Sequence, residues 1–216
     1  MVLDILRNYY PTFLGGVWLT LVLTVISFTL ALILGSLLAV MRISPVTPLR
    51  IGAVAYIGLM RCIPLLAFVV LFVFGLPKLG FLYTINTSVI VVLSLYTAGF
   101  VAETMRAGIR TVPSGEVEAA RALGLPFRQV IALVVLPQAV RTIIPPLGNL
   151  AISQIKATAI AAAVGVQEIT GVATRVNFQT AQPLIVFAIA AVAYLVLALP
   201  SGWALNSLES RLAVRR

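Results

Sequence analysis

Few side chains in this sequence can do chemistry, and those that can sit in apolar surroundings. Lys156 stands near the middle of an apolar run that opens at Pro145-Pro146. An ammonium at such a depth costs at least ~2.5 kcal/mol on insertion scales unless it is paired or wet. Its position fits a substrate or ion path, or else a structural pair with a carboxylate such as Glu168 or Glu103. Asn149 and Ser153 fall at helical spacing from Lys156, so one face of that run is polar. Arg61 lies about ten residues into another apolar run, three positions before Pro64. It either faces a protein interior or watery path, or snorkels to the surface. Glu103 and Arg106 share one helix face, which suits an ion pair at the membrane surface or a contact with the segment that follows.

What is missing is as informative. Histidine is absent and Cys62 is the only cysteine, so the commonest general base is lacking and neither an internal disulfide nor a thiol-rich metal site can form. There is no Gly-x-x-x-x-Gly-Lys phosphate loop. The chain is expected to be no enzyme and to carry no cofactor or metal of its own. Any energy it uses must come from a partner or a gradient.

The elements that position these residues are membrane spans. Of 216 residues, 61% are hydrophobic and only 10% charged, and the mean hydropathy is +1.12, too apolar to cover a soluble globule. The net charge of +9 is scattered at the ends of apolar runs, which reads as topology control and excludes a nucleic-acid partner. The predicted fold is all-α, an integral membrane protein of a single transmembrane domain over residues 1–216. Five spans are expected at about 13–41, 52–76, 83–105, 145–166 and 183–206, each long enough for the ~20 residues a bilayer needs. Residues 1–12 are short and polar with no basic segment ahead of the first run, so that run is read as a retained span rather than a signal peptide. Ala31, Gly35 and Ala39 give it a small-residue face for close helix approach. Pro145-Pro146 is expected to open the fourth span, residues 167–182 to form an outer loop, and Pro200-Ser201-Gly202 to bend the end of the fifth. Ten of the fifteen basic residues fall on one side: Arg42 and Arg50 in the first loop, Arg106, Arg110, Arg121, Arg128 and Arg141 in the long polar segment, and Arg211, Arg215 and Arg216 in the tail. That bias puts the N-terminus outside and the C-terminus in the cytoplasm.

Between spans 3 and 4 lies a charged amphipathic island. Ser114 can cap a helix whose first turn carries Glu116 and Glu118 against the positive end of the dipole. Gly124 offers a left-handed stop and Pro126 suits the first position of a new helix. The expectation is two short helices with a sharp corner, beside the membrane.

That corner resembles the EAA loop of ABC-importer permeases. Glu118-Ala119-Ala120, then Gly124, then Val134-Val135-Leu136-Pro137 keep the loop's spacing, with valine where isoleucine is usual. Arg61 and Pro64 resemble the Arg-x-x-Pro of polar amino acid permeases of the histidine/glutamine/glutamate type, although Cys62-Ile63 departs from it. The stretch from Asn149 through Lys156 to Thr158, and Gly165-Val166-Gln167-Glu168 after it, resemble two further stretches, with Ala157 replacing the usual Asp or Asn. Met41–Val46 and Pro137–Arg141 look most like permeases of actinobacterial glutamate importers. The resemblance covers nearly the whole chain. It implies a multi-pass subunit of the bacterial cytoplasmic membrane that imports polar amino acids, glutamate or glutamine, by alternating access. The implied partners are a second permease chain (identical or homologous), a cytoplasmic ATPase dimer carrying ATP and Mg, and an extracytoplasmic solute-binding protein. It casts Glu116, Glu118, Ala119, Ala120, Arg121, Gly124 and Leu125 as the coupling helix that docks on the ATPase. Arg61, Asn149, Ser153, Lys156, Thr158 and Glu168 become the candidate substrate path. The alternatives are a gradient-driven carrier or channel without an ATPase, which has no need of the EAA spacing, and a non-transporting scaffold, in which Lys156 is replaceable by leucine.

Overall fold

In the computed structural model, which describes residues 2–212, every regular element among the described residues is helical. In order these are α1 (Val2–Ile43), α2 (Thr47–Cys62), α3 (Leu65–Val70, continued by a π turn and a 3-10 turn to Leu79), α4 (Ile85–Arg110), α5 (Ser114–Ala122), α6 (Phe127–Gln129), α7 (Leu136–Ala157), α8 (Ile169–Thr180) and α9 (Pro183–Leu212). Four helical stretches are long and apolar enough to cross a membrane: Asp4–Ile43, Ile85–Arg110, Phe127–Val164 and Pro183–Leu205. A fifth arises if Thr47–Cys62 and Leu65–Leu79, bent by 103° to one another, form one span.

Helix α4 is the centre of the body. Its most apolar window is 56% buried within the chain, against 11% for α9. The packing rests on small side chains, as it must where lipid removes the hydrophobic drive and leaves van der Waals contact to hold helices together. The expected close approach along Ala31, Gly35 and Ala39 is realised against α4: Ala31 and Ala98 are fully buried, and a Cβ on Gly35 would stand 2.5 Å from Val101 Cγ1. Leu23, Val69, Val89, Val92 and Leu93 fill a core between α1, α3 and α4.

Several expectations are corrected by tertiary packing. The polar residues 2–12 are the first turns of α1, because Ile5 and Phe13 bury against Ile169, Val172 and Val186 on α8 and α9. The second span is no straight helix. Pro64 forces Ile63 into an extended conformation (φ −72°, ψ 130°), and the chain turns there. Pro145-Pro146 opens nothing: both lie inside α7, in helix that runs unbroken from Phe127 to Val164 through a π turn at Val130–Val135 and a 3-10 turn at Thr158–Val164. The missing amides are tolerated where α4 and α9 pack against the helix, as where Ile143 and Gly148 meet Gly108 and Leu205. The expected outer loop 167–182 is largely α8, whose Val172, Ala173 and Val176 are buried. Helix α9 runs on past the expected end near residue 206 to Leu212, with Pro200 inside it. Of the basic tail, Arg215 and Arg216 lie outside the described residues.

Candidate functional site

The island folds as a helix, a corner and a second helix. Ser114, expected as the cap, is the first residue of α5; Pro113 takes the capping position in extended backbone (ψ 134°) and no side chain caps the helix. Pro113 has its φ fixed by the ring, and its carbonyl receives the Glu116 amide at 3.1 Å. The corner is a Schellman motif. Gly124 sits at φ +80°, its amide donates to the Arg121 carbonyl at 2.9 Å, and the Leu125 amide donates to the Ala120 carbonyl at 3.3 Å. Pro126 caps the next helix instead of opening it. Ala120 and Leu125 face inward, packed with Val117, Val130 and Val135. Glu116, Glu118, Ala119, Arg121 and Gly124 are exposed. So are two large apolar residues that the motif did not flag, Leu123 (82%) and Phe127 (67%). Apolar side chains left bare inside a charged island were the available signal. The Glu116 carboxylate accepts a hydrogen bond from Gln138 Nε2, which ties the island to the first turn of α7.

The candidate path residues separate into two groups. Asn149, Ser153 and Lys156 are all exposed along one edge of α7, and Lys156 makes no ion pair among the described residues. Neither proposed carboxylate partner reaches it. Glu103 is held by Arg42 and Arg106, with Arg61 Nη1 4.0 Å away. Glu168 is fully buried. One of its oxygens accepts the Gly171 amide at 2.8 Å, capping α8, and the other accepts the Tyr194 hydroxyl at 2.5 Å. Thr158 is also fully buried and donates to the Ile155 carbonyl at 2.7 Å. Arg61, in the last turn of α2, lies with its guanidinium 6.0 Å from the Phe100 ring centroid, within cation–π reach. Thr158 and Glu168 are therefore buried off the exposed edge, while Arg61 is an exposed residue of α2.

Sequence reasoning missed Gln154. Its carbonyl accepts from Thr97 Oγ1 at 2.6 Å and its amide donates to Ser27 Oγ at 2.7 Å, joining α7, α4 and α1 across the buried centre. In the sequence it is merely a neighbour of Ser153, and only the helical phase puts it on the opposite face.

A many-span helical body with an exposed, charged helix-corner-helix between two spans defines a transport permease. The chain belongs to the family described as the binding-protein-dependent transport system inner membrane component, whose pattern matches residues 31–214. It is 42% identical to the glutamate transport system permease protein GluC of Corynebacterium glutamicum, over 95% of this chain and 96% of that one. It is 36% identical to the probable glutamine ABC transporter permease protein GlnM of Bacillus subtilis, over 98% of each. A crystal structure of an amino acid ABC transporter with histidines superposes with a TM-score of 0.93 at 32% identity, over 98% of each chain. The chain is thus the translocating, multi-pass inner-membrane subunit of a binding-protein-dependent ABC transporter, in which ATP hydrolysis belongs to a separate subunit.

Proposed function

We propose that this permease imports an acidic amino acid or its amide, glutamate or glutamine, by alternating access, and that one continuous helix conveys the ATPase's motion to the substrate path. The observation that carries the reading is the unbroken helix from Phe127 to Val164. It begins at the island's corner, is tied to Glu116 through Gln138, and holds Asn149, Ser153 and Lys156 along its exposed edge. From Gln138 to Lys156 is roughly 27 Å at 1.5 Å per residue. A displacement of the island therefore reaches the middle of the membrane without passing through a loop.

In this reading the spans are five, with the N-terminus outside and the C-terminus in the cytoplasm. Two permease chains, identical or paired with a relative, enclose the path over a cytoplasmic ATPase dimer that holds ATP and Mg, and a solute-binding protein docks on the outer face. Glu116, Glu118, Ala119, Arg121 and Gly124 meet the ATPase with Leu123 and Phe127 as apolar anchors, while Ala120 and Leu125 keep the corner's shape. Asn149, Ser153 and Lys156 line the path. An ammonium turned toward lipid costs at least ~2.5 kcal/mol, so an edge carrying it faces water, substrate or a second chain. Its positive charge suits a carboxylate. Nucleotide binding biases a two-state equilibrium by its differential affinity for the two states. A gradient-driven carrier has no use for the exposed island.

The test is hydrolysis by the purified permease–ATPase complex with its binding protein, with glutamate or glutamine added. Wild type should show substrate-stimulated hydrolysis, whereas Glu118→Lys and Gly124→Asp should lose either the ATPase or the stimulation. Solute movement by the permease alone, down a gradient, would overturn the reading.

A further inference from the structure

Four arginines that the sequence reading counts among its orientation signals, Arg106 also as a partner of Glu103, meet at one place. Arg42 ends α1, Arg50 lies in the first turn of α2, and Arg106 and Arg110 are in the last turns of α4. Together they line a cavity of about 350 Å³ at the island's end of the body, with Ile43 and Val54 as its apolar walls. That volume lies within the ~300–1,000 Å³ range of ligand sites. Glu103 engages Arg42 and Arg106 from behind. Arg50 and Arg110 are exposed and make no ion pair among the described residues. Helix stability does not account for Arg50: a cation in the first turn of a helix opposes its dipole.

We infer that this cavity binds the phosphate of an anionic phospholipid in the leaflet on the island's side. Guanidinium forks match phosphate oxygens two at a time, and basic pockets between membrane helices on the cytoplasmic side suit phosphate headgroups. The apolar walls decide between the two sources of a phosphate. Ile43 is 53% and Val54 47% exposed, beside the cationic floor, where an acyl chain can lie along them; free phosphate leaves them bare in water. The bound lipid ties the ends of α1, α2 and α4 together three residues ahead of α5, so it firms the base from which the island projects. None of this depends on which amino acid is carried.

The experiment uses the full-length permease, delipidated in a neutral detergent, with retained lipid quantified by mass spectrometry after equal additions of phosphatidylglycerol and phosphatidylcholine. Wild type should favour phosphatidylglycerol. Arg50→Gln and Arg110→Gln should each weaken its binding about fivefold, and the pair together by roughly 25-fold. Arg50→Lys should recover part of the loss, since charge remains without the fork. Should the double variant not fold, the exposed single variants decide the matter. Unchanged phosphatidylglycerol binding in the single variants sinks the proposal, as does equal retention of phosphatidylcholine. Displacement of the lipid by inorganic phosphate at equal concentration assigns the site to a free anion instead. Release of the ATPase by these variants with lipid binding unaltered makes the cavity a protein contact and overturns the lipid reading, leaving the transport reading untouched.

Discussion

The Glu103 cluster and the Lys156 edge are both charge placed in apolar helix, and they are handled in opposite ways. Glu103 draws Arg42 of α1 and Arg106 of its own helix onto a single carboxylate, with Arg61 of α2 close by. Their side chains are only about a fifth exposed, apart from Arg61 at 48%. Three helices are thereby fastened at one end. Among the described residues Lys156 has no such partner, and it stands on an exposed edge with Asn149 and Ser153. A charge that is fully paired holds structure together. One left unpaired in the same apolar medium is tolerable only where something else completes its environment.

Exchanging neutral for charged groups at the two places is the sharpest way to break this contrast. Glu103→Gln leaves Arg42 and Arg106 partly buried without a counter-charge and should cost about 3 kcal/mol of stability, the lower end of the range for broken buried pairs. Unfolding in detergent micelles checks it, and a loss below about 1 kcal/mol would show that the cluster is ornamental. Lys156→Met should do the reverse, leaving stability unchanged or slightly raised while substrate-stimulated ATP hydrolysis falls at least about tenfold, or ~1.4 kcal/mol of coupling. Full substrate-stimulated hydrolysis in that variant would make Lys156 a bystander and remove it from the path. Between these extremes lies Gln154→Leu, which strips Thr97 and Ser27 of a buried partner. It should destabilise by about 1–2 kcal/mol, visible as a lowered unfolding midpoint with hydrolysis intact at low temperature. The smallest effect belongs to Ser114→Ala. With Pro113 in the capping position, it should change stability by less than about 0.5 kcal/mol, whereas a true N-cap would lose about 1 kcal/mol.

Much of this was readable in the residues because the physics concerned is local. A run of apolar residues longer than a bilayer declares a span wherever it lies, and Ala31, Gly35 and Ala39 advertise a close approach without naming the partner helix. Gly124 had to be a left-handed corner since a glycine there ends a short helix between two others. The polar edge followed from the spacing of Asn149, Ser153 and Lys156. Mistakes came where a local rule met a distant neighbour. Pro145-Pro146 reads as a helix start until α4 and α9 press the helix through it. The 167–182 segment reads as a loop because Glu168, Arg175, Asn177 and Gln179 are polar, yet α8 buries its apolar side against α1 and α9.

By itself, then, the sequence determined the class of molecule, the approximate spans, the exposed island with its corner and the edge that bears Lys156. All are consequences of hydropathy, helical period and glycine or proline backbone limits, each acting over a few residues. Tertiary structure alone decided the 103° break at Ile63-Pro64, the burial of Glu168 beneath Tyr194, the addition of Arg42 to the Glu103–Arg106 pair that the sequence spacing already suggested, and the meeting of four helix-end arginines around one cavity. Pairing a charge depends on which helices come to lie side by side, and side chains sixty residues apart carry no local signal of it: Arg42 and Glu103 are 61 positions apart.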